Sequence, residues 1–347
     1  MEHTASRVRS RAVLAALGAI AALGAGLAAE SGQAQSERGQ APSPLSQLRI
    51  EGPAKNVDPG TWYVTGRERI RRSAGLNCKR RQGRVTLKEP NALGIVESAA
   101  RASKEMSPLR VRRDDFGLFA CEIAGRIGRP FDHPSGFSGW LYWLDWASGS
   151  QAAENVVLEG GEQVLWVFSD FHTKQGRQRN SGGALELSGV PAWDADGTFT
   201  VSVDVHDFSG AATPVEGASI KGAESVEDLG EGEYEVTVGN GYTTLFARHR
   251  PDIASNQIEV CVNADPAQCP SAHGRTIVGS GKADVVVGTA GGRDHISTRN
   301  GDDLVVIENG GPDTVKCGRG EDEVVRTMGD DDDEIGSSCE TVTDLVP

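Results

Sequence analysis

A chain of 347 residues is too long for one small core and is expected to hold two or three domains. Its net charge of −14 is uneven, because residues 279–347 hold 16 acidic and 6 basic side chains, a balance of −10. That acidity gives no support to a nucleic-acid partner, and its concentration in the tail makes it a local property rather than one of the whole surface.

Arg7, Arg9 and Arg11 precede an apolar run from Ala12 to Ala29, which reads as a secretory signal over residues 1–34 with cleavage after Ala29 or Ala34. The arginines are not adjacent and no Cys follows the run, so neither twin-arginine export nor a lipoprotein anchor is supported. An uncleaved membrane anchor is the alternative; the Ala/Gly-rich composition is weakly hydrophobic and favours cleavage, leaving no stable membrane span. Residues 35–47, rich in Gln, Ser, Pro and Gly, read as a flexible leader.

Residues 48–171 are expected to be globular. Leu48-Arg49-Ile50 alternates, and Trp62-Tyr63-Val64-Thr65 is β-prone. Eight Lys or Arg then stand between Arg67 and Arg84, which reads as a solvated loop or as a contact for an acidic wall polymer or phospholipid surface. Asn91–Ala102 has helical spacing, with Leu93, Val96 and Ala100 on one face and Asn91 as cap. Phe116–Ile123 reads as a buried strand. Trp140, Tyr142, Trp143 and Trp166 lie in the aromatic runs 139–146 and 163–168, and are candidates for a ligand face; the plainer reading has alternate residues filling the core. Residues 172–182 read as a linker. From Ala184 to Val262 the chain alternates between short strands and turns, at 184–187, 199–203, 233–238, 243–247 and 257–262.

The tail repeats. Asp284, Asp294, Asp303, Asp313, Asp322 and Asp333 follow one another at 10, 9, 10, 9 and 11 residues. Two residues after each stands an aliphatic: Val286, Ile296, Val305, Val315, Val324 and Ile335. Most are preceded by turns of Gly, Asn and Asp. A turn of this kind points an Asp inward, and the three residues after it form a strand whose middle side chain points inward too. Two repeats make one coil, the aliphatics stack as a thin core, and the stacked carboxylates repel one another unless a cation sits among them. Ca²⁺, which accepts six to eight oxygens at about 2.3–2.6 Å in flexible geometry, suits such a row.

Six cysteines in an exported chain read as disulfides, and their order suggests Cys78–Cys121, Cys261–Cys269 and Cys317–Cys339. No Gly-x-Ser-x-Gly, His-Glu-x-x-His or phosphate-binding Gly loop is present, and the seven histidines are scattered, so no catalytic constellation can be assembled and the chain is expected not to be an enzyme.

Three resemblances follow from these residues. The Asp-plus-aliphatic period resembles the repeat-in-toxin, or haemolysin-type, calcium-binding β-roll, which implies Ca²⁺ held by the six aspartates over residues 271–347; Lys282 and Asp331 occupy positions where that family has Gly. "ALGIVESA", "GWLYWLD" and "LEGGEQVLWVF" resemble the transcobalamin C-terminal-like domain, a β-grasp fold related to soluble-ligand-binding modules, with Asp145-Trp146 where that family has Asn-Gly. Gly217–Ile220 and the run at 229–238 resemble Ig-like and carboxypeptidase-regulatory-like sandwiches, over residues 183–270. The expected fold is therefore mostly β and multidomain: a β-grasp-like α+β domain, an Ig-like β-sandwich and a parallel β-roll. The expected function is a secreted or cell-surface protein whose tail folds on extracellular Ca²⁺ and which binds a cell-wall or surface ligand or acts in adhesion. The alternatives are a cobalamin-type small-molecule carrier and a secreted enzyme with a calcium-binding tail.

Overall fold

The computed structural model describes residues 44–345 except 54, 76–77, 129–135, 173–176, 195, 265–273, 290–291, 308–310 and 328–331. The expected signal, most of the leader and Cys269 lie outside the described residues. The chain is mostly β, in several sheets.

The first region runs through β1 (Leu45–Glu51), β2 (Asn56–Val64), β3 (Arg69–Ala74), β4 (Arg80–Thr86), α1 (Gly94–Ala102), β5 (Arg110–Asp114), β6 (Gly117–Ile123), β7 (Arg126–Ile127), β8 (Ser138–Leu144), β9 (Ala147–Ser148), β10 (Gln163–His172) and β11 (Arg177–Arg179). One sheet has the order β2-β1-β10-β8-β9, with β1 and β10 parallel; a second has the order β4-β3-β5-β6-β7. The helix begins where expected, because Asn91 Oδ1 accepts the Leu93 and Gly94 N–H groups at 3.2 and 2.8 Å. Its Ile95, Val96 and Ala99 pack with Leu48, Ile50, Ile70, Val111, Trp140 and Trp166 in one core.

Two expectations are corrected here. The basic stretch is not a loop but the strand pair β3–β4, tied to β6 by the Cys78–Cys121 disulfide. Only Ile70 and Val85 mark its inward face, one aliphatic per strand, too sparse a pattern to recognise. Residues 172–182 are not purely a linker either: β11 folds back antiparallel along β10, held by main-chain pairing that leaves no apolar signature.

The second region holds β12 (Ala184–Ser188), β13 (Trp193–Asp194), β14 (Thr198–His206), β15 (Ala212–Pro214), β16 (Ser219–Lys221), β17 (Ser225–Gly230), β18 (Glu233–Thr237), β19 (Gly241–Arg248) and β20 (Ile258–Val262). They form two sheets, β12-β14-β18-β17 and β13-β20-β19-β16, whose inner residues share one core built on Leu185, Val203, Tyr234, Val236, Leu245 and Val260. Tyr234 is buried, and its hydroxyl donates to the Val215 carbonyl at 2.6 Å and accepts the Ala218 N–H at 2.9 Å, so it also fixes the loop that passes over it.

The third region is a coil of short parallel strands: β21 (Thr276–Val278), β22 (Val285–Val287), β23 (His295–Ser297), β24 (Leu304–Ile307), β25 (Thr314–Lys316), β26 (Glu323–Thr327), β27 (Glu334–Ile335) and β28 (Thr341–Leu345). Odd-numbered strands pair with one another in parallel, and even-numbered strands do the same on the opposite side. Val286, Ile296, Val305, Val315 and Val324 are buried between the two sheets and Ile335 packs against them. The first strand does not begin a new sheet. β21 pairs parallel with β2, Trp62 opposite Ile277 and Tyr63 opposite Val278, so one sheet runs from β27 to β9 across the first and third regions. Val64, Trp62 and Leu45 cap the end of the coil's core. Cys317–Cys339 joins its later turns across 22 residues, with Cα atoms 5.2 Å apart. Cys261 is disulfide-bonded as well, and its expected partner Cys269 is outside the described residues. Among the described residues no helix is long and apolar enough to cross a membrane.

Candidate metal centre

The six aspartates of the repeat fall into two rows, because each coil takes two repeats. Asp284, Asp303 and Asp322 precede β22, β24 and β26; Asp294, Asp313 and Asp333 precede β23, β25 and β27. Neighbours within a row are one strand spacing apart, about 4.8 Å along the sheet. Each row is knitted by the same bond: the N–H of one aspartate donates to Oδ1 of the next. The distances are 2.8 Å from Asp284 to Asp303 and 2.9 Å from Asp303 to Asp322 in the first row. They are 2.7 Å from Asp294 to Asp313 and 2.8 Å from Asp313 to Asp333 in the second. Glu340 Oε2 ends the first row by accepting the Asp322 N–H at 2.9 Å. The period of the repeat therefore encodes a ladder of carboxylates, each bridging two coils.

What the second carboxylate oxygen meets divides the early turns from the later ones. Asp284 Oδ2 accepts the Ser280 N–H at 2.6 Å while its Oδ1 accepts the Ser280 hydroxyl at 2.8 Å; Thr289 serves Asp294 in the same way. Gly279 and Gly288 make room for these groups, since a Cβ there would stand 2.9 and 2.7 Å from the carboxylate oxygens. Asp322 has no such hydroxyl, and the Thr298 hydroxyl beside Asp303 donates to the Cys317 carbonyl at 2.7 Å. The Oδ2 atoms of Asp303 and Asp322 are buried and have no hydrogen-bond partner. A buried carboxylate oxygen without a donor is costly.

The electrostatics follow. Burial pushes the Asp303 carboxyl up to about 7, and the neighbouring Asp284 and Asp322 add to it against hydrogen bonds from Thr298 and the Asp284 N–H. Burial also raises Asp284, opposed by Ser280. The residues fit a hard divalent cation in one respect above all: Asp303 and Asp322 hold unsatisfied, inward oxygens in adjacent turns. Among the described residues no three His, Cys, Asp or Glu side chains converge on one point. The ladder explains this, since it spreads the carboxylates along a line, and a cation there would complete its shell from turn carbonyls. Gly301 lies in such a turn with φ +124°, and a Cβ on it would collide with the Lys282 carbonyl of the turn below.

The aromatic candidates behave differently. Trp140, Tyr142, Trp143 and Trp166 are all buried and do not form an open face, which corrects the ligand-face expectation. Strand alternation sends Trp140, Tyr142 and Trp166 into the core beneath α1, and Trp143 to the opposite side of the sheet, where it stacks on Phe208 of the second region at 5.3 Å. Both faces of β8 and β10 pack against other elements.

Sequence reasoning missed one feature at that junction. A cavity of about 250 Å³ lies between the first sheet and the second region, lined by Arg49, Trp143, Trp146, Glu186, Gln163 and Gln257 among others. Trp146 and Asp145 form the two-residue turn between β8 and β9 with φ of 69° and 46°, a left-handed pair that normally favours Asn-Gly. Trp146 is held there between His206, stacked at 4.9 Å, and the Arg49 guanidinium at 5.6 Å. Burial lowers the Arg49 pKa, and the carboxylates of Glu51 and Glu186 oppose that. The departure from Asn-Gly was the visible signal. Comparison with known protein families, curated proteins and solved structures gives no match to this chain.

Proposed function

We propose that the chain is an exported calcium-binding protein that binds a ligand or surface outside the cell rather than carrying out catalysis. Its third region is a haemolysin-type β-roll, the second an Ig-like sandwich and the first a β-grasp domain. The observation that carries the calcium reading is the pair of buried, donorless Oδ2 atoms of Asp303 and Asp322. These two residues, with the carbonyls of the turns around Gly301 and Gly320, would hold the ion; Asp284, Asp294, Asp313 and Asp333 extend the two ladders. Bound Ca²⁺ supplies the positive charge that the row of carboxylates lacks.

The chain's own residues do the rest. In a low-calcium compartment the carboxylates repel and oppose coiling, which suits passage through an export channel. At millimolar calcium, sites with dissociation constants of about 10⁻⁴–10⁻³ M fill, and binding to the coiled form alone stabilises it by mass action. The Cys78–Cys121 and Cys317–Cys339 bridges accord with an oxidising compartment. The burial of Trp140, Tyr142, Trp143 and Trp166 counts against the carrier alternative.

The test is a thermal melt of the full chain, with equilibrium dialysis for stoichiometry, in Ca²⁺ and in Mg²⁺. Calcium is expected to raise the melting of the coil between about 0.1 and 10 mM, with Mg²⁺ far weaker. No response, or an equal one to both ions, reduces the repeat to an acidic spacer.

A further inference from the structure

The strand pair β3–β4 carries six arginines and no acidic residue: Arg69, Arg71, Arg72, Arg80, Arg81 and Arg84. The register places Arg84 opposite Arg71, and Arg71 opposite Arg110 on β5. Residues opposite one another across strands share a face, so three guanidiniums stand in a row over about 10 Å. Arg69 lies on the same face by alternation, while Ile70 and Val85 fill the other; a register shift between Arg71 and Ser73 sets Arg80 and Arg81 apart from the row. Like charges directly opposite in a sheet destabilise it.

The row is paired at its Arg110 end, and the Glu97 carboxylate on α1 is within electrostatic reach of Arg71. Glu122 pairs with Arg110 at 3.1 Å, and the buried Glu68 is held by Arg101 at 2.9 Å. Among the described residues, Arg69, Arg71, Arg81 and Arg84 are exposed and make no ion pair. A predominantly basic face of this kind in a chain of net charge −14 is a local reversal of the molecule's field.

We infer that this face docks a linear anionic polysaccharide bearing sulfate or phosphate esters. Guanidinium groups pair with such oxyanions in two-point fashion, and rows about 5 Å apart across strands and about 7 Å apart along them match a chain of closely spaced charges. A thin polymer is favoured over an anionic membrane by the charge of the rest of the molecule. An extended surface would also meet the field of the whole molecule's net charge of −14, whereas a single chain feels only what lies within a Debye length of about 8–10 Å. The inference deepens the extracellular-binding half of the proposed function and does not depend on calcium.

The experiment uses the full chain in calcium-containing buffer, with heparin as the sulfated polysaccharide probe and binding followed by titration calorimetry at several salt concentrations. The double variant Arg71→Gln/Arg84→Gln is expected to bind at least about tenfold more weakly and to lower the slope of log affinity against log salt by about one to two. Its melting temperature should be unchanged or raised, because an opposed like-charge pair has gone. A second variant, Lys221→Gln/Arg250→Gln, removes two cations elsewhere and should bind as the parent does. The inference is overturned if the parent fails to bind heparin at low salt, or if the Arg71/Arg84 variant binds equally well. It is also overturned if single-stranded DNA or phosphatidylserine vesicles bind more tightly than heparin at matched charge. Failure of the calcium reading would show separately, as a coil melt indifferent to Ca²⁺ with heparin binding intact.

Discussion

The second and third regions are both built from short strands around an aliphatic interior, yet they bury opposite things. Among the described residues the sandwich-like region buries no carboxylate; its buried polar groups are His206 and Ser255. The coil buries Asp284, Asp294, Asp303, Asp313 and Asp322, each no more than 2% exposed, around a core one aliphatic wide per turn. The first balances its backbone entropy with two facing layers of side chains. The second has too thin a core for that and sets carboxylates where desolvation opposes folding. The contrast ties the coil's stability to the charge on its two rows of carboxylates, which is the condition that the proposed calcium would meet.

Chelation is the hardest blow to that contrast. With calcium removed, hydrogen exchange at residues 276–345 is expected to rise toward unprotected rates while residues 184–262 keep theirs. Equal loss in both, or in neither, would break the distinction. Replacing Cys317 and Cys339 by Ser comes next. The bridge closes a loop of 22 residues, and its removal is expected to cost the coil about 2–4 kcal/mol, seen as a lower denaturation midpoint for the coil alone.

The smallest effect is the sharpest in sign. Asp303 titrates near 7 when folded and about 3.9 when unfolded. A raised carboxyl favours the folded state below its unfolded pKa, and that favour is lost as pH rises through its folded pKa. The calcium-free coil should therefore be most stable near pH 4 and weaken as pH rises from about 4 to about 7. Asp303→Asn should abolish most of that dependence and stabilise the calcium-free coil. In calcium the same substitution should raise the half-saturation concentration by about tenfold. A variant that weakens the coil under both conditions would mean that Asp303 serves packing and not an ion.

Much of this coil was legible before any coordinates. The spacing of Asp284 to Asp333 and the inward aliphatics follow from a short period, and a short period is a local property of the chain. The hydroxyl partners of Asp284 and Asp294, one in each row, were written in Ser280 and Thr289 but passed unread. The first region was harder. Its helix announced itself through Asn91 and the spacing of Leu93 and Val96, whereas β3 and β4 were hidden because one aliphatic in a run of arginines carries no readable alternation.

By itself, then, the sequence determined the repeat, its register of carboxylates and aliphatics, and the mostly β character, since each depends on neighbours a few residues apart or on a count; it only suggested the cysteine partners Cys78–Cys121 and Cys317–Cys339, which the fold brought together. Tertiary structure alone decided that Trp143 faces the second region while Trp140 faces the helix, that Trp146 is held left-handed between Arg49 and His206, and that Arg84, Arg71 and Arg110 align in one row. It also decided that the coil starts on the free edge of β2, with Ile277 beside Trp62. An open strand edge presents unpaired N–H and C=O groups that any strand can satisfy, so no residue pattern names the partner; only the packing of the whole chain does.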